Sequence, residues 1–303
     1  AGKIQPILSD YVYKFIKKNS TILDATIDSN RDFLFDYFGF KTLCKSYLQK
    51  VDGQIVERPQ YLWMRVACGI HFDDIEAAIQ TYHLLSTMQA THATPTLYHS
   101  GTVKNQLASC FLLSMKGDRD SVVSMYDTLK DVAMLSKHAG GIGVHVHDIR
   151  SKGSPVYGTN GTSDGLIPML KVYNETAKHI NQSGRRKGPF AFYLSDWHND
   201  IFEFLDLRKN NGKEELRARD IFIAVWVSDH FMRQVEADGD WYLMNPNASK
   251  NLSKVYDERE DGGSFTDLYT KYVSEGKFVR KIKARDLWQA ILVSMMETGT
   301  PYL

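Results

Sequence analysis

The chain is short of cysteine, of net charge and of long apolar runs, and each shortage excludes something. Its 303 residues hold three cysteines, Cys44, Cys68 and Cys110, odd in number and widely spaced. That pattern makes neither a disulfide framework nor a metal-ligand pair, and it fits a reducing compartment. Lysine and arginine number 37 against 36 acidic residues, so no global field draws the chain to nucleic acid or an anionic membrane. Any anionic ligand has to be held by a local cluster. The longest apolar run, "IFIAVWV" at 221–227, is far too short to cross a bilayer and suits a buried strand. The opening "AGKIQPILSDYVYKF" lacks an apolar core of signal-peptide length. Neither repeats nor low-complexity tracts occur. A cytoplasmic protein with no membrane and no nucleic-acid partner is the expectation.

What the chain does have is enough length for a full core and a change of texture along it. Residues 1–90 read as mainly helical. "ERPQYLWMRVACGI" and "DDIEAAIQTYHLLSTMQ" carry apolar residues at helical spacing, and in the second Ile75, Ala78, Ile79, Tyr82 and Leu85 share a face behind Asp73 and Asp74. From 91 to 303 strands alternate with helices, which predicts an α/β region with largely parallel strands. The predicted strands are "QLASCFLLSM", "GIGVHVHDI", "PFAFYL" and "IFIAVWV". Helices are expected over "DSVVSMYDTLKDVAMLSKH", "GLIPMLKVYNETAKHI" and near "WHNDIFEFLDLRK". The first strand reads as buried, with Leu107, Ser109, Phe111 and Leu113 on one face and Ala108, Cys110, Leu112 and Ser114 on the other. A final helix, "ARDLWQAILVSMMET", stops at Gly299 ahead of Pro301. "PYL" then opens another extended segment, so the sequence reads as the front part of a longer α/β unit.

Four stretches invite chemistry. "HAGGIGV" (138–144) has its glycines after a helix and before a strand, the reverse of a dinucleotide fold. A helix C-cap at Gly140, with Gly141 and Gly143 permitting close approach, is the simpler reading. "HVHD" (145–148) puts His145 and His147 on one strand face, but no third or fourth ligand converges locally, so no metal is assigned. "NQSGRRKGPF" (181–190) packs Arg185, Arg186 and Lys187 between a helix and a strand. A solvated surface loop and a nucleotide-sensing element both fit that composition. "DIRSKGSPVYGTNG" (148–161) is a second basic, glycine-rich loop, and the two together suggest a nucleotide phosphate site.

The segments "ATPTLYHSGTVKNQLASCFLLSM", "YDTLKDVAMLSKHAGGIGVHVHDIRSKGSPVYGTNG", "NQSGRRKGPFAFYLSDWHNDIFEFLDLRKNNGKEELRARDIF" and "ETGTPYL" resemble the large, catalytic subunit of class I ribonucleotide reductase. The match runs from about "RDFLFDYFGFKTL" (31–43) to the last residue. The resemblance implies an N-terminal helical region followed by the first half of a ten-stranded α/β barrel. It puts Cys110 in the family's reducing pair, supplying a hydrogen to the ribose as the 2′-hydroxyl leaves as water and ending in a disulfide with a distant cysteine. It gives Thr94 and Ser109 the substrate ribose and diphosphate, and places Gly141 where a glycine pair closes on substrate. A specificity effector, ATP or a deoxynucleoside triphosphate with Mg2+, would meet Asp120, Ser121 and Lys137, with Arg150, Tyr157 and Gly158 on the phosphate side. Asn181, Gln182 and the cations Arg185, Arg186 and Lys187 would form the loop that passes effector identity to the substrate base.

Departures from the family matter as much. The radical cysteine between an asparagine and a glutamate, the second reducing cysteine, the relay tyrosines, the cysteine-bearing tail and the ATP-binding cone lie outside this sequence. Activity is therefore expected only with a complementing C-terminal chain. It also needs a small metal-containing subunit that generates the radical, a thioredoxin- or glutaredoxin-type reductant and a nucleoside diphosphate substrate. A homodimer through the effector-site helices is expected too. Cys44 and Cys68 read as packed thiols. The alternatives are an inert nucleotide-binding regulatory or scaffold relative, and a metal-dependent hydrolase built on His145 and His147. Half a barrel would also expose an edge strand and an apolar face, which favours association.

Overall fold

The structure, a computed structural model, describes residues 6–115, 120–137, 140–182, 186–255 and 264–303, with the backbone alone at 181–182 and 186–187. It forms two compact units. One holds the residues up to Ser109 together with Gly140, and the other holds Cys110–Lys137 and the residues from Gly141 onward.

The first unit is built from α1 (Asp10–Lys18), α2 (Ser20–Thr26), α3 (Tyr37–Thr42), a small hairpin of β1 (Lys50–Val51) and β2 (Gln54–Ile55), then α4 (Pro59–Ile70), α5 (Ile75–Ser86) and α6 (Thr94–His99). Pro59 opens α4, where its missing N–H costs nothing. Asp74 is the N-cap of α5, its carboxylate accepting from Ala77 N at 3.0 Å. The two helices bury Leu62, Val66, Ala67 and Cys68 against Ala78, Tyr82 and Leu85. Arg65 is buried at their edge, paired with Glu57 at 2.6 Å and donating to the carbonyls of Leu97 and Ser100. It thereby ties the end of α6, whose last carbonyls have no helical partner, to α4.

The second unit runs β3 (Cys110–Ser114), α7 (Val122–Lys137), β4 (Gly141–His145), the hairpin β5 (Pro155–Val156) and β6 (Gly161–Thr162), and α8 (Leu166–His179). It continues with the hairpin β7 (Asn181–Gln182) and β8 (Arg186–Lys187), β9 (Phe190–Ser195), α9 (Ile201–Leu205), β10 (Phe222–Trp226), α10 (Asp229–Glu236), β11 (Asp240–Leu243), α11 (Phe265–Ser274), β12 (Arg280–Lys283) and α12 (Ala284–Thr298). The main sheet is parallel, in the order β10-β9-β4-β3. That order follows the chain without reversal. A sheet wound in one sense keeps its right-handed crossovers on a single face, as in the first part of a barrel, whereas a doubly wound sheet reverses. Among the described strands the sheet is open. At the β10 edge, Tyr302 N donates to Ile223 O and Tyr302 O accepts from Val225 N, so the last residues pair parallel to β10.

The two faces of this sheet differ. Ile142, Val144, Phe190, Phe192, Leu194, Ile223 and Val225 point into one core with Val132 of α7 and Leu166, Leu170 and Tyr173 of α8. Tyr173 meets Phe192 edge to face at 5.0 Å. Each fully buried aromatic of this kind contributes about 1.5–3 kcal/mol of transfer free energy. The opposite face carries Cys110, Leu112 and Ser114, which are all exposed.

Two sequence expectations are corrected here. The first strand starts at Cys110, not Gln106, because the carbonyls of 106–108 are committed to side chains: Gln106 O accepts from His99 Nδ1, Leu107 O from Thr96 Oγ1 and Ala108 O from Gln106 Nε2. Nor is it a buried strand: it lies at the sheet edge and every second side chain faces solvent, Leu112 being 84% exposed. The helix near "WHNDIFEFLDLRK" shrinks to Ile201–Leu205 and a single tighter turn at Asp206–Arg208, since the residues before it form a polar turn. No described helix is long and apolar enough to cross a membrane.

Candidate functional site

Cys110 is the first residue of β3, exposed and in no disulfide with another described residue. Its register partner across the ladder is Gly141, the first residue of β4. The sheet therefore brings together, at the amino ends of two neighbouring strands, a thiol and a residue with no side chain to shield it. Gly143 lies on the same face two residues on, and a Cβ there would sit 2.9 Å from Leu112 Cδ2 and 3.0 Å from the Tyr193 ring. Glycine is what lets those side chains close over the strand. Ser109 and Thr94 belong to the helical unit, where Thr94 Oγ1 lies 3.1 Å from Tyr47 OH. The other thiols are differently placed. Cys68 is completely buried, which pushes its thiol up to about 12, and Cys44 packs half-buried against the helical core.

The candidate effector residues divide between the two ends of α7. At its start Ser121 caps the helix, its hydroxyl accepting from Ser124 N at 3.1 Å. Asp120 takes Arg150 in a two-point grip, Oδ1 from Arg150 N at 2.9 Å and Oδ2 from Arg150 Nε at 2.5 Å. Arg150 also donates to Pro155 O, so its guanidinium braces the β5–β6 hairpin. Tyr157, at that hairpin's tip, is 86% exposed, and Gly158 turns the chain with φ +98°. Lys137 stands exposed in the last turn of α7, roughly 24 Å from Ser121 at 1.5 Å per residue. Near that same end lies the foot of the second loop. Gly188 faces Ser136, where a Cβ would come within 2.6 Å of the hydroxyl. Asn181 and Gln182 pair antiparallel with Lys187 and Arg186. Arg185 lies outside the described residues.

Sequence reasoning missed the turn after β9, "SDWHND" at 195–200. Asp196 is buried and accepts from Ser228 N and Oγ at 2.7 and 2.9 Å, holding the cap of α10. His198 is fully buried; its Nε2 donates to Ile149 O at 2.8 Å and its Nδ1 accepts from Asp200 N at 3.1 Å. Those two bonds define a neutral imidazole. Asp200 accepts from Lys152 N at 3.0 Å and Leu166 N at 3.1 Å. The available signal was a short run of Ser, Asp, His and Asn ending a strand that precedes a helix.

His145 and His147 stack with ring centroids 5.1 Å apart. Among the described residues no group of three or more His, Cys, Asp and Glu could hold a metal ion. Both line a cavity of about 830 Å³ with Leu112, Tyr193, Trp226 and Ser228. This cavity lies toward the carboxyl ends of the strands, where ligands of open parallel sheets commonly sit. Its lining does not include Cys110, and four residues of strand, about 13 Å, separate Gly141 from His145.

A one-way parallel sheet with a thiol at the head of its first strand, and glycine-rich hairpins at both ends of its first helix, defines a barrel-type α/β protein with an exposed thiol. The family model "Ribonucleotide reductase, barrel domain" matches residues 108–303, and "Ribonucleotide reductase, all-alpha domain" matches residues 33–105. The chain belongs to the ribonucleotide reductase large-subunit family. It is 53% identical over 304 residues to the ribonucleoside-diphosphate reductase large subunit of Arabidopsis thaliana, an alignment covering all of this chain and 36% of that protein. Identity to the large subunit of Plasmodium falciparum (isolate Dd2) is 54% over 303 residues, covering all of this chain and 37% of the relative. The large chain 2 of Saccharomyces cerevisiae is 50% identical over 303 residues, with 34% of its length covered. The chain thus spans about a third of the length of these relatives.

Burial gives His198 a signature in pH. Desolvation holds it below its ordinary value of 6.5, and the opposing attraction of Asp200 is the smaller influence. An unfolded chain then binds a proton that the folded one refuses, so stability falls as pH drops below about 6.5, by at most ~1.4 kcal/mol per pH unit from this group. Urea unfolding at a series of pH values should show a shallower decline for His198→Gln than for the parent. Equal slopes would mean that His198 takes up its proton while still folded.

Proposed function

We propose that this chain is the thiol-bearing and effector-binding part of a ribonucleoside-diphosphate reductase large subunit. The observation that carries the reading is Cys110, exposed and outside any disulfide at the head of β3 beside Gly141, in a chain of that family. The chemistry replaces a ribose C2′–OH bond with C–H. Two thiols supply the two hydrogens and two electrons, the hydroxyl leaves as water and the thiols end as a disulfide. Cys110 is one of the two. Cys68, sealed and hard to ionise, is unsuited to be the other, which a complementing C-terminal segment contributes with the radical cysteine. A small metal-containing subunit starts the radical, and a thioredoxin- or glutaredoxin-type protein restores the thiols. In the barrel unit, Gly141 beside Cys110 is where the nucleoside diphosphate would lie.

The effector site uses ATP or a deoxynucleoside triphosphate, with Mg2+, at Asp120, Ser121, Arg150 and the hairpin through Tyr157 and Gly158. The second loop, Asn181, Gln182, Arg185 and Arg186, carries the effector's identity to the substrate. Lys137 lies at the far end of the same helix, so one chain does not bring it to Asp120. Two copies related by a two-fold axis perpendicular to α7 would, because that operation sets the start of one helix against the end of the other. Val122, Val123, Tyr126 and Met134 are exposed on α7 and supply the apolar face such a pairing needs.

Two variants of the assembled enzyme test this. Cys110→Ser should abolish diphosphate reduction while triphosphate affinity, read by calorimetry, stays close to the parent's; retained turnover would remove Cys110 from the chemistry. A parent that binds triphosphate but never turns over with its partners would instead be a binding relative. Tyr126→Asp should shift the sedimenting species from dimer to monomer and weaken triphosphate binding together. An unchanged dimer would place the subunit contact on another face.

A further inference from the structure

Helix α8 begins at a glycine. Gly165 has φ +77° and no side chain to cap the helix, and a Cβ there would lie 2.4 Å from Asp200 Oδ2 and 2.8 Å from Lys152 N. The cap comes instead from another element. The buried Asp200 carboxylate accepts from Leu166 N, the first amide of α8, where the helix N-terminus favours negative charge. The same carboxylate accepts from Lys152 N. Lys152 and Leu166 are the two feet of the β5–β6 hairpin, whose stem closes on itself through Gly153 N to Ser163 O and Ser163 N to Ser154 O, both 2.8 Å. His198 seats the clamp, accepting Asp200 N and donating to Ile149 O just ahead of the first foot.

We infer that Asp200, seated by His198, is a positioning residue for effector binding: it fixes the direction of the 150–165 hairpin toward Asp120 and the start of α7 without touching nucleotide. The inference rests on the reading that this hairpin holds effector phosphate. Because the stem has its own hydrogen bonds, losing the clamp leaves the hairpin formed but free to swing on its feet. An asparagine at 200 keeps the shape and can accept from one foot, but it turns an NH2 toward the other.

The test compares Asp200→Asn with the parent in the assembled reductase, titrated with ATP and with each of the four deoxynucleoside triphosphates. The dissociation constant should rise about tenfold to a hundredfold, the range expected for a charged acceptor lost from a buried site. At saturating effector, kcat and the substrate KM should match the parent's, and hydrogen exchange should quicken at Lys152 and Leu166. Should Asp200→Asn not fold, His198→Phe gives the same readouts, since it keeps a ring in the buried site and removes the acceptor that seats Asp200. A parent that binds triphosphate, with variants binding it equally well, would overturn the clamp and leave the effector reading standing. Equal loss of kcat at saturation would show a general structural role and overturn it too. A parent that binds none of the five nucleotides would remove the effector reading and this inference with it.

Discussion

The period of two along a β-strand is the constraint on which the rest depends. Once a parallel sheet is wound one way, helices cover a single face, and every second side chain of every strand must face away from them. Phe192, Leu194, Ile223 and Val225 take the covered side and join the core. Cys110, Leu112 and Ser114 take the other. A thiol at an odd position of that first strand would have been packed among aliphatics. At the position it holds, it is presented on the uncovered face, and its ladder partner Gly141 sets no side chain beside it.

The second constraint is the length of α7. A straight helix cannot bring its two ends together, so the candidate effector residues at Asp120 and at Lys137 form one site only across a two-fold axis. The hairpin feet follow the same division: the β5–β6 hairpin is braced at the start of α7 through Arg150, and the foot of the second loop packs near its end through Gly188 and Ser136. On the proposed reading, effector binding and subunit pairing would be the same event viewed from two sides, which would give the exposed valines and Tyr126 of α7 a role beyond packing.

Much of this was legible in the sequence because its signals are local. The apolar spacing of 75–85, the capping Asp74 and the stop at Gly299, with its φ of +73°, each act within a turn or two of helix. The alternation of 110–114 fixed which side chains share a face. Less legible were the features set by contacts distant in sequence. Residues 106–108 lie in a strand-like apolar stretch, yet their carbonyls are taken by side chains of the helical unit, and nothing in the local pattern shows that. Arg150 and Asp120 each looked like ligand contacts, and nothing in the local pattern showed that they also hold one another. Asp200 caps a helix that begins earlier in the chain, at the glycine of position 165, where a side chain would collide with the carboxylate.

Thiol reactivity tests the central claim most directly. The assembled subunit, treated at neutral pH with a small alkylating agent and read by mass spectrometry, should be modified first at Cys110 and last at Cys68. A nucleoside diphosphate added with effector should slow the reaction at Cys110 alone. If Cys110 reacts no faster than the sealed Cys68, or ignores the diphosphate, then the exposed face of this sheet is not where the substrate meets its reductant.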